Sequence, residues 1–241
     1  MGQAVFWGVL SSAALFLGQL LAKPLGRSER AIGLMMGFGG GTLLAAVAYE
    51  LIPESHITDG WQIAALALVG ALVYYSADEL VDRRGGVARQ AVARGSGEGG
   101  SGMAMFLGAL LDGIPEAFIL GLGLALGGQV SVAFLAAIFV SNVPQGLAGT
   151  TSLQEAGTPQ RRIAVMWALL TSACGVAALV GFVMADHLAD LGTDASAFAG
   201  GAVLMMLADS MIPESYRHGG RLTGLLTVVG FLVAGVLTVL Q

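Results

Sequence analysis

Two carboxylates stand four residues apart in a stretch that is otherwise apolar. Asp112 and Glu116 bracket Gly113-Ile114-Pro115 within residues 103–126. A helix places residues i and i+4 on one face, so both carboxylates project to the same side. A second polar pair, Asn142 and Gln145, stands three residues apart in the apolar stretch 130–150, again on one helical face. Each pair encloses a proline, Pro115 and Pro144. Proline donates no backbone hydrogen bond, so the carbonyls of Leu111 and Val140 are freed and each helix is expected to kink. Four oxygen-bearing side chains and freed carbonyls at one depth would make a cation site. An all-oxygen donor set suits hard ions such as magnesium or manganese better than zinc. The bland alternative is that the carboxylates are hydrogen-bonded across helices and merely join them. Asn142 and Gln145 alone would more often serve as such interhelical links.

The elements that position these groups follow from composition. Of the 241 residues, 56% are hydrophobic and 11% charged, against about 25% charged in a soluble domain. The apolar residues fall in runs of roughly 20, the length that crosses a bilayer. Hydropathy predicts eight spans, near residues 4–21, 32–52, 61–77, 103–126, 130–150, 163–184, 196–212 and 222–240. The expected fold is an all-α polytopic membrane protein, with residues 1–241 forming one transmembrane domain. The first run has no basic segment before it and no convincing cleavage site, so it is expected to be a retained helix. Asp112 and Glu116 then lie inside span four. A charged residue at the centre of a span costs about 2.5–3.5 kcal/mol on insertion scales, and such residues mark ion or proton paths by default.

Loop charges set the orientation. All 11 Lys and Arg residues fall in alternate loops: Lys23, Arg27 and Arg30; Arg83, Arg84, Arg89 and Arg94; Arg161 and Arg162; Arg217 and Arg221. Cytoplasmic loops collect Lys and Arg. The chain is therefore expected to be multi-pass in the cell membrane, with both termini extracytoplasmic. Residues 78–102 read as a cytoplasmic loop, and its Gly- and Ser-rich end, 95–102, as a flexible linker. With a net charge of −5 and no basic tail, nucleic acid is not an expected partner. Cys174 is the only cysteine, which excludes an internal disulfide and a multi-cysteine metal site.

The chain repeats itself. FGGGTLLAAVAYELIPES at 38–55 and FAGGAVLMMLADSMIPES at 198–215 share nine of eighteen positions at a constant offset of 160, including the Ile-Pro-Glu-Ser ending. Spans two and seven cross in opposite directions, so this is an inverted repeat. Spans one to three and six to eight form the two halves, around central spans four and five. Such repeats are typical of secondary transporters, whose sites lie near the midplane between them. Spans four and five echo each other weakly at an offset of 29, Gly113-Ile114-Pro115-Glu116-Ala117 against Asn142-Val143-Pro144-Gln145-Gly146.

Glu50 and Asp209 sit inside the ends of spans two and seven and are candidates to line a transport path. Glu54 and Glu214 stand nearer those ends, where lining a path and snorkelling to water account for them equally. His56, His187 and His218 read as solvated loop residues. Gly33-x-x-x-Gly37, Gly37-x-x-x-Gly41 and Gly123-x-x-x-Gly127 let helix backbones approach closely, and packing within one protomer is favoured over a dimer seam.

These features together resemble the ZIP (Zrt/Irt-like) divalent metal transporters, particularly the short bacterial forms, over nearly the whole chain. The family's span four motif is His-Asn-x-Pro-Glu-Gly. Here it reads Asp112-Gly113-Ile114-Pro115-Glu116-Ala117. Its span five motif, roughly Gln/His-Asp/Glu-x-Pro-Glu/His-Gly, reads Ser141-Asn142-Val143-Pro144-Gln145-Gly146. Its span six glutamate is missing from Thr171-Ser172-Ala173-Cys174-Gly175. The resemblance implies a transporter, not an enzyme. It would move zinc, iron or manganese toward the cytoplasm by alternating access. Asp112, Glu116, Asn142 and Gln145 would be the metal ligands, and no prosthetic group would be needed. Expected partners are divalent metal ions and the lipid bilayer, with a homodimer allowed. One alternative is a degenerate member acting as regulator or scaffold. Another, an intramembrane hydrolase with two carboxylates, lacks both a facing second acid and a His-Glu-x-x-His helix.

Overall fold

In hydrocarbon, backbone groups must be satisfied within the chain, which restricts spanning segments to helices or closed barrels. This sequence takes the first route. The computed structural model describes residues 1–26, 28–51, 60–85, 101–127, 131–185 and 192–240. Its helices are α1 (Gly2–Leu25), α2 (Glu29–Ala46), α3 (Gly60–Gly85), α4 (Ser101–Gly127), α5 (Val132–Glu155), α6 (Gln160–Met184), α7 (Gly192–Met206), α8 (Ile212–Gly219) and α9 (Leu222–Val239). A π turn, Val47–Leu51, prolongs α2, and another, Leu207–Met211, joins α7 to α8 as one span. Eight spans are long and apolar enough to cross a membrane, and the described residues include no strand. The chain is an all-α polytopic membrane protein.

Local chemistry sets the ends. Ser28 caps α2, accepting from the Ala31 amide at 3.2 Å, and Ser131 caps α5, accepting from Phe134 at 3.1 Å. Gly220, at φ +66°, makes the reversal between α8 and α9. One expectation changes. Residues 78–85 belong to α3, not to the loop. Asp78-Glu79-Leu80-Val81-Asp82-Arg83 is good helix-forming sequence, with Glu79 and Arg83 at i, i+4. Of the glycine-rich linker at 95–102, residues 95–100 lie outside the described residues, and Ser101 and Gly102 open α4 instead. Pro115 and Pro144 sit inside continuous helices, α4 and α5. Membrane helices tolerate such prolines where neighbours and small adjustments re-satisfy the freed groups. The π turns instead precede the Ile-Pro-Glu-Ser endings. At α8 the Pro213 ring crowds the carbonyl four residues back, that of Asp209, and the helix widens there.

The two halves match in detail. The principal packings are α2 on α9, α3 on α7, α1 on α5, α4 on α6 and α1 on α6. Exchanging α1 with α6, α2 with α7, α3 with α9 and α4 with α5 returns the same set. Gln19, late in α1, donates to the carbonyl of Gln160 at the start of α6 (3.4 Å), so the matched helices run in opposite directions. The close approaches repeat at the offset of 160. A Cβ on Gly41 would meet the carbonyl oxygen of Thr227, and one on Gly201 that of Ala67. A Cβ on Gly70 would meet the carbonyl of Phe198, and one on Gly230 that of Phe38. Even the π turns are 160 residues apart.

Helices α1, α4, α5 and α6 interlock through glycines. Gly18 and Gly146 bring the backbones of α1 and α5 together, and Gly121 and Gly181 those of α4 and α6. Trp167 is fully buried among them, its indole donating to Thr150 Oγ1 at 2.9 Å. The pairs α2/α9 and α3/α7 flank this group. Gly33, Gly37 and Gly41 all face Gly219, Thr223 and Thr227 of the same chain, so this stripe is an internal seam. Gly123 has open space beside it. Gly201→Ala should therefore cost about 1–3 kcal/mol, as overpacking does, whereas Gly123→Ala should leave thermal unfolding unchanged.

Candidate cation site

The bundle has two ends. One carries Lys23, Arg30, Arg161, Arg162 and Arg217 at helix termini, and we call it the basic end. The other holds both chain termini. The four central positions lie between them on α4 and α5.

Asp112 and Glu116 are both buried, 8% and 1% exposed, as their shared face of α4 requires. Tyr74 of α3 donates to Asp112 Oδ1 at 2.5 Å. Among the described residues, neither Glu116 oxygen has a hydrogen-bond partner, and the same holds for Gln145 Oε1 on α5 and Thr171 Oγ1 on α6. A buried ionised carboxylate without partners costs several kcal/mol. Asn142 is buried, and its amide donates to the Ser11 carbonyl at 3.3 Å, tying α5 to α1. Asp112 and Gln145 meet in one cavity, with Ser210 and Glu214 from the α7–α8 span and Met36 of α2. It faces the basic end and holds about 40 Å³, room for an ion and a water or two.

A second cavity, of about 180 Å³, faces the terminal end and is lined by Glu50, Leu51, Ile119, Leu124, Ser131 and Ser196. The two cavities are counterparts. At the offset of 160, Glu50 matches Ser210, Leu51 matches Met211, and Met36 matches Ser196. At the offset of 29, Ile119 matches Ala148 of the first cavity. Along α4 the first cavity reaches Gly108 and Asp112, and the second begins at Ile119. Glu116 lies between them.

Of the expected path residues, Glu50 and Glu214 line these cavities and Glu54 lies outside the described residues. Asp209 lines neither: it is exposed on the outside of the bundle, and Ser210 stands in the cavity instead. A π turn holds one extra residue, which rotates the following side chains relative to a regular helix. His56 and His187 also lie outside the described residues, as do Asp186 and Asp190. His218 is not a loop residue. It sits in the last turn of α8, with Nδ1 3.6 Å from Glu29.

Three contributors escape a reading of charge alone. Tyr74 and Ser210 are polar groups in apolar spans, where a buried phenol or hydroxyl needs a partner. Cys174 of α6 fills the space beside Gly113: a Cβ there would lie 3.0 Å from its Sγ. Among the described residues, no three His, Cys, Asp or Glu side chains gather closely enough to hold a metal ion together. A cation here would need Gln145, hydroxyl or backbone oxygens beside the two carboxylates, a hard donor set. No family model matches the sequence, and no curated protein matches it.

Proposed function

We propose that this chain is a divalent cation transporter of the ZIP type that moves its metal toward the cytoplasm. The observation that carries the reading is Glu116. Its carboxylate is fully buried, both oxygens lack hydrogen-bond partners among the described residues, and it lies along α4 between two matched cavities that approach from opposite ends of the bundle. A cation passing through would supply the charge those oxygens lack.

In this account Asp112 and Glu116 are the charged ligands and Gln145 a neutral oxygen donor. Asn142 serves the scaffold through Ser11. Glu50 draws cations into one cavity and Glu214 into the other. The basic end faces the cytoplasm, because Lys and Arg collect in cytoplasmic loops. Both termini then lie outside the cell membrane. Inverted repeats around a midplane site suit alternating access, in which the two cavities connect with the site in turn. Transport rather than fixed binding also fits the small number of charged ligands, since a carried ion must leave again.

The test is uptake into proteoliposomes by the purified full-length chain, measured separately for zinc, iron, manganese and cadmium. The donor set predicts that manganese is carried better than zinc or cadmium. Uptake of none of the four would exclude transport and favour a scaffold or regulatory protein. A preference for cadmium would point to the Cys174 thiol as a ligand.

A further inference from the structure

Span three carries two adjacent tyrosines with opposite surroundings. Tyr75 is 45% exposed on the outside of the bundle, and Tyr74 is 4% exposed. The Tyr74 hydroxyl donates to Asp112 Oδ1 at 2.5 Å, within the short range of hydrogen bonds to carboxylates. Two features make this more than a convenient partner for a buried phenol.

The first is direction. Asp112 lines the basic-end cavity, whereas Tyr74 lines a separate apolar groove on the side of the bundle, with Leu111, Ile114, Pro115 and Phe198. Tyr74 thus holds Asp112 from behind, from a helix that packs mainly on α7, not on α4. The second is asymmetry. At the offset of 160, Tyr74 corresponds to Ala234 of α9. At the offset of 29, Asp112 corresponds to Ser141 of α5. Both are buried, and the Ser141 hydroxyl is turned back to the Ile138 carbonyl of its own helix at 2.9 Å. The fold repeats this seam twice and places a polar tie across only one copy, the one behind a carboxylate of the cation site.

We propose that Tyr74 is the positioning residue of the cation site: its hydroxyl fixes one oxygen of Asp112 and so aims the carboxylate into the basic-end cavity. This inference rests on the transport reading above. Partners that orient a metal's ligands typically contribute 10–100-fold to affinity or activity when removed. Tyr74→Phe deletes one oxygen and keeps the ring.

The experiment measures Mn2+ uptake by the full-length protein in proteoliposomes, comparing wild type, Tyr74→Phe and Tyr75→Phe. Tyr74→Phe should raise the apparent KM about tenfold, with a smaller change in maximal rate and a melting temperature lowered only by the loss of one buried hydrogen bond. Tyr75→Phe should match the wild type. A KM for Tyr74→Phe within twofold of wild type overturns the inference, as does an equal rise in Tyr75→Phe. Absence of uptake by the wild type removes the transport reading and this inference with it. Should Tyr74→Phe not be recovered folded, ultraviolet resonance Raman spectra of the wild type decide: added Mn2+ should shift the hydrogen-bond-sensitive tyrosine bands, and unshifted bands overturn the inference.

Discussion

Glu116→Met is expected to abolish metal uptake while making the metal-free protein more stable. Few single substitutions carry such opposed effects, and the reason lies in the burial of this group. The Glu116 side chain is 1% exposed and neither oxygen is hydrogen-bonded among the described residues. A buried polar group without a partner costs about 1–3 kcal/mol, and well-packed apolar atoms of similar volume avoid that cost. Thermal unfolding in detergent without metal should therefore give a higher midpoint for Glu116→Met than for wild type. Added Mn2+ should raise the wild-type midpoint and leave that of Glu116→Met where it was, because a ligand at 100 times its Kd stabilises by about 2.7 kcal/mol and only the wild type is expected to bind it. A Glu116→Met protein less stable than wild type without metal would mean that the carboxylate is satisfied within the fold, as a structural link.

Asp112→Ala should also abolish uptake, but with the opposite effect on stability. Asp112 accepts from Tyr74 at 2.5 Å inside the bundle. Removing it leaves a buried phenol without that acceptor, at a cost of about 1–3 kcal/mol. The metal-free midpoint should fall. Two carboxylates one helical turn apart, both expected to be needed for uptake, are thus separable by the sign of their effect on folding. If both variants moved the midpoint in the same direction, the distinct environments assigned to them here would not hold.

Much of this was legible in the sequence, for identifiable reasons. Asp112 and Glu116 stand out because charge in an apolar span has few neutral explanations. The repeat was visible because Ile-Pro-Glu-Ser recurs in register, and the structure extends it to Gly41 against Thr227 and Gly201 against Ala67. The orientation of side chains near the π turns was not legible. Hydropathy assumes one helical period throughout, and an added residue at Leu207–Met211 turns Asp209 outward and Ser210 into the cavity. Tyr74 went unseen because a tyrosine is ordinary in an apolar span until its neighbour is known, and that neighbour is 38 residues away. The spacing of Asn142 from Gln145 fixes a face of α5 and not what that face meets; at Asn142 the structure adds that the amide nitrogen meets the backbone of α1.

The same distinction applies to Gly113. Where the resembled family carries asparagine, this chain has glycine, and Cys174 Sγ occupies the adjoining space. Restoring asparagine at 113 alone would crowd the thiol.

The most direct measurement is Mn2+ flux into proteoliposomes containing equal amounts of folded wild-type protein or Glu116→Ala, with a metal-sensitive dye inside. The account predicts uptake that saturates with external Mn2+ in the wild type and uptake no faster than protein-free vesicles in Glu116→Ala. Equal rates for the two proteins would contradict it, because the ion would then be crossing without the one carboxylate that lies between the two cavities.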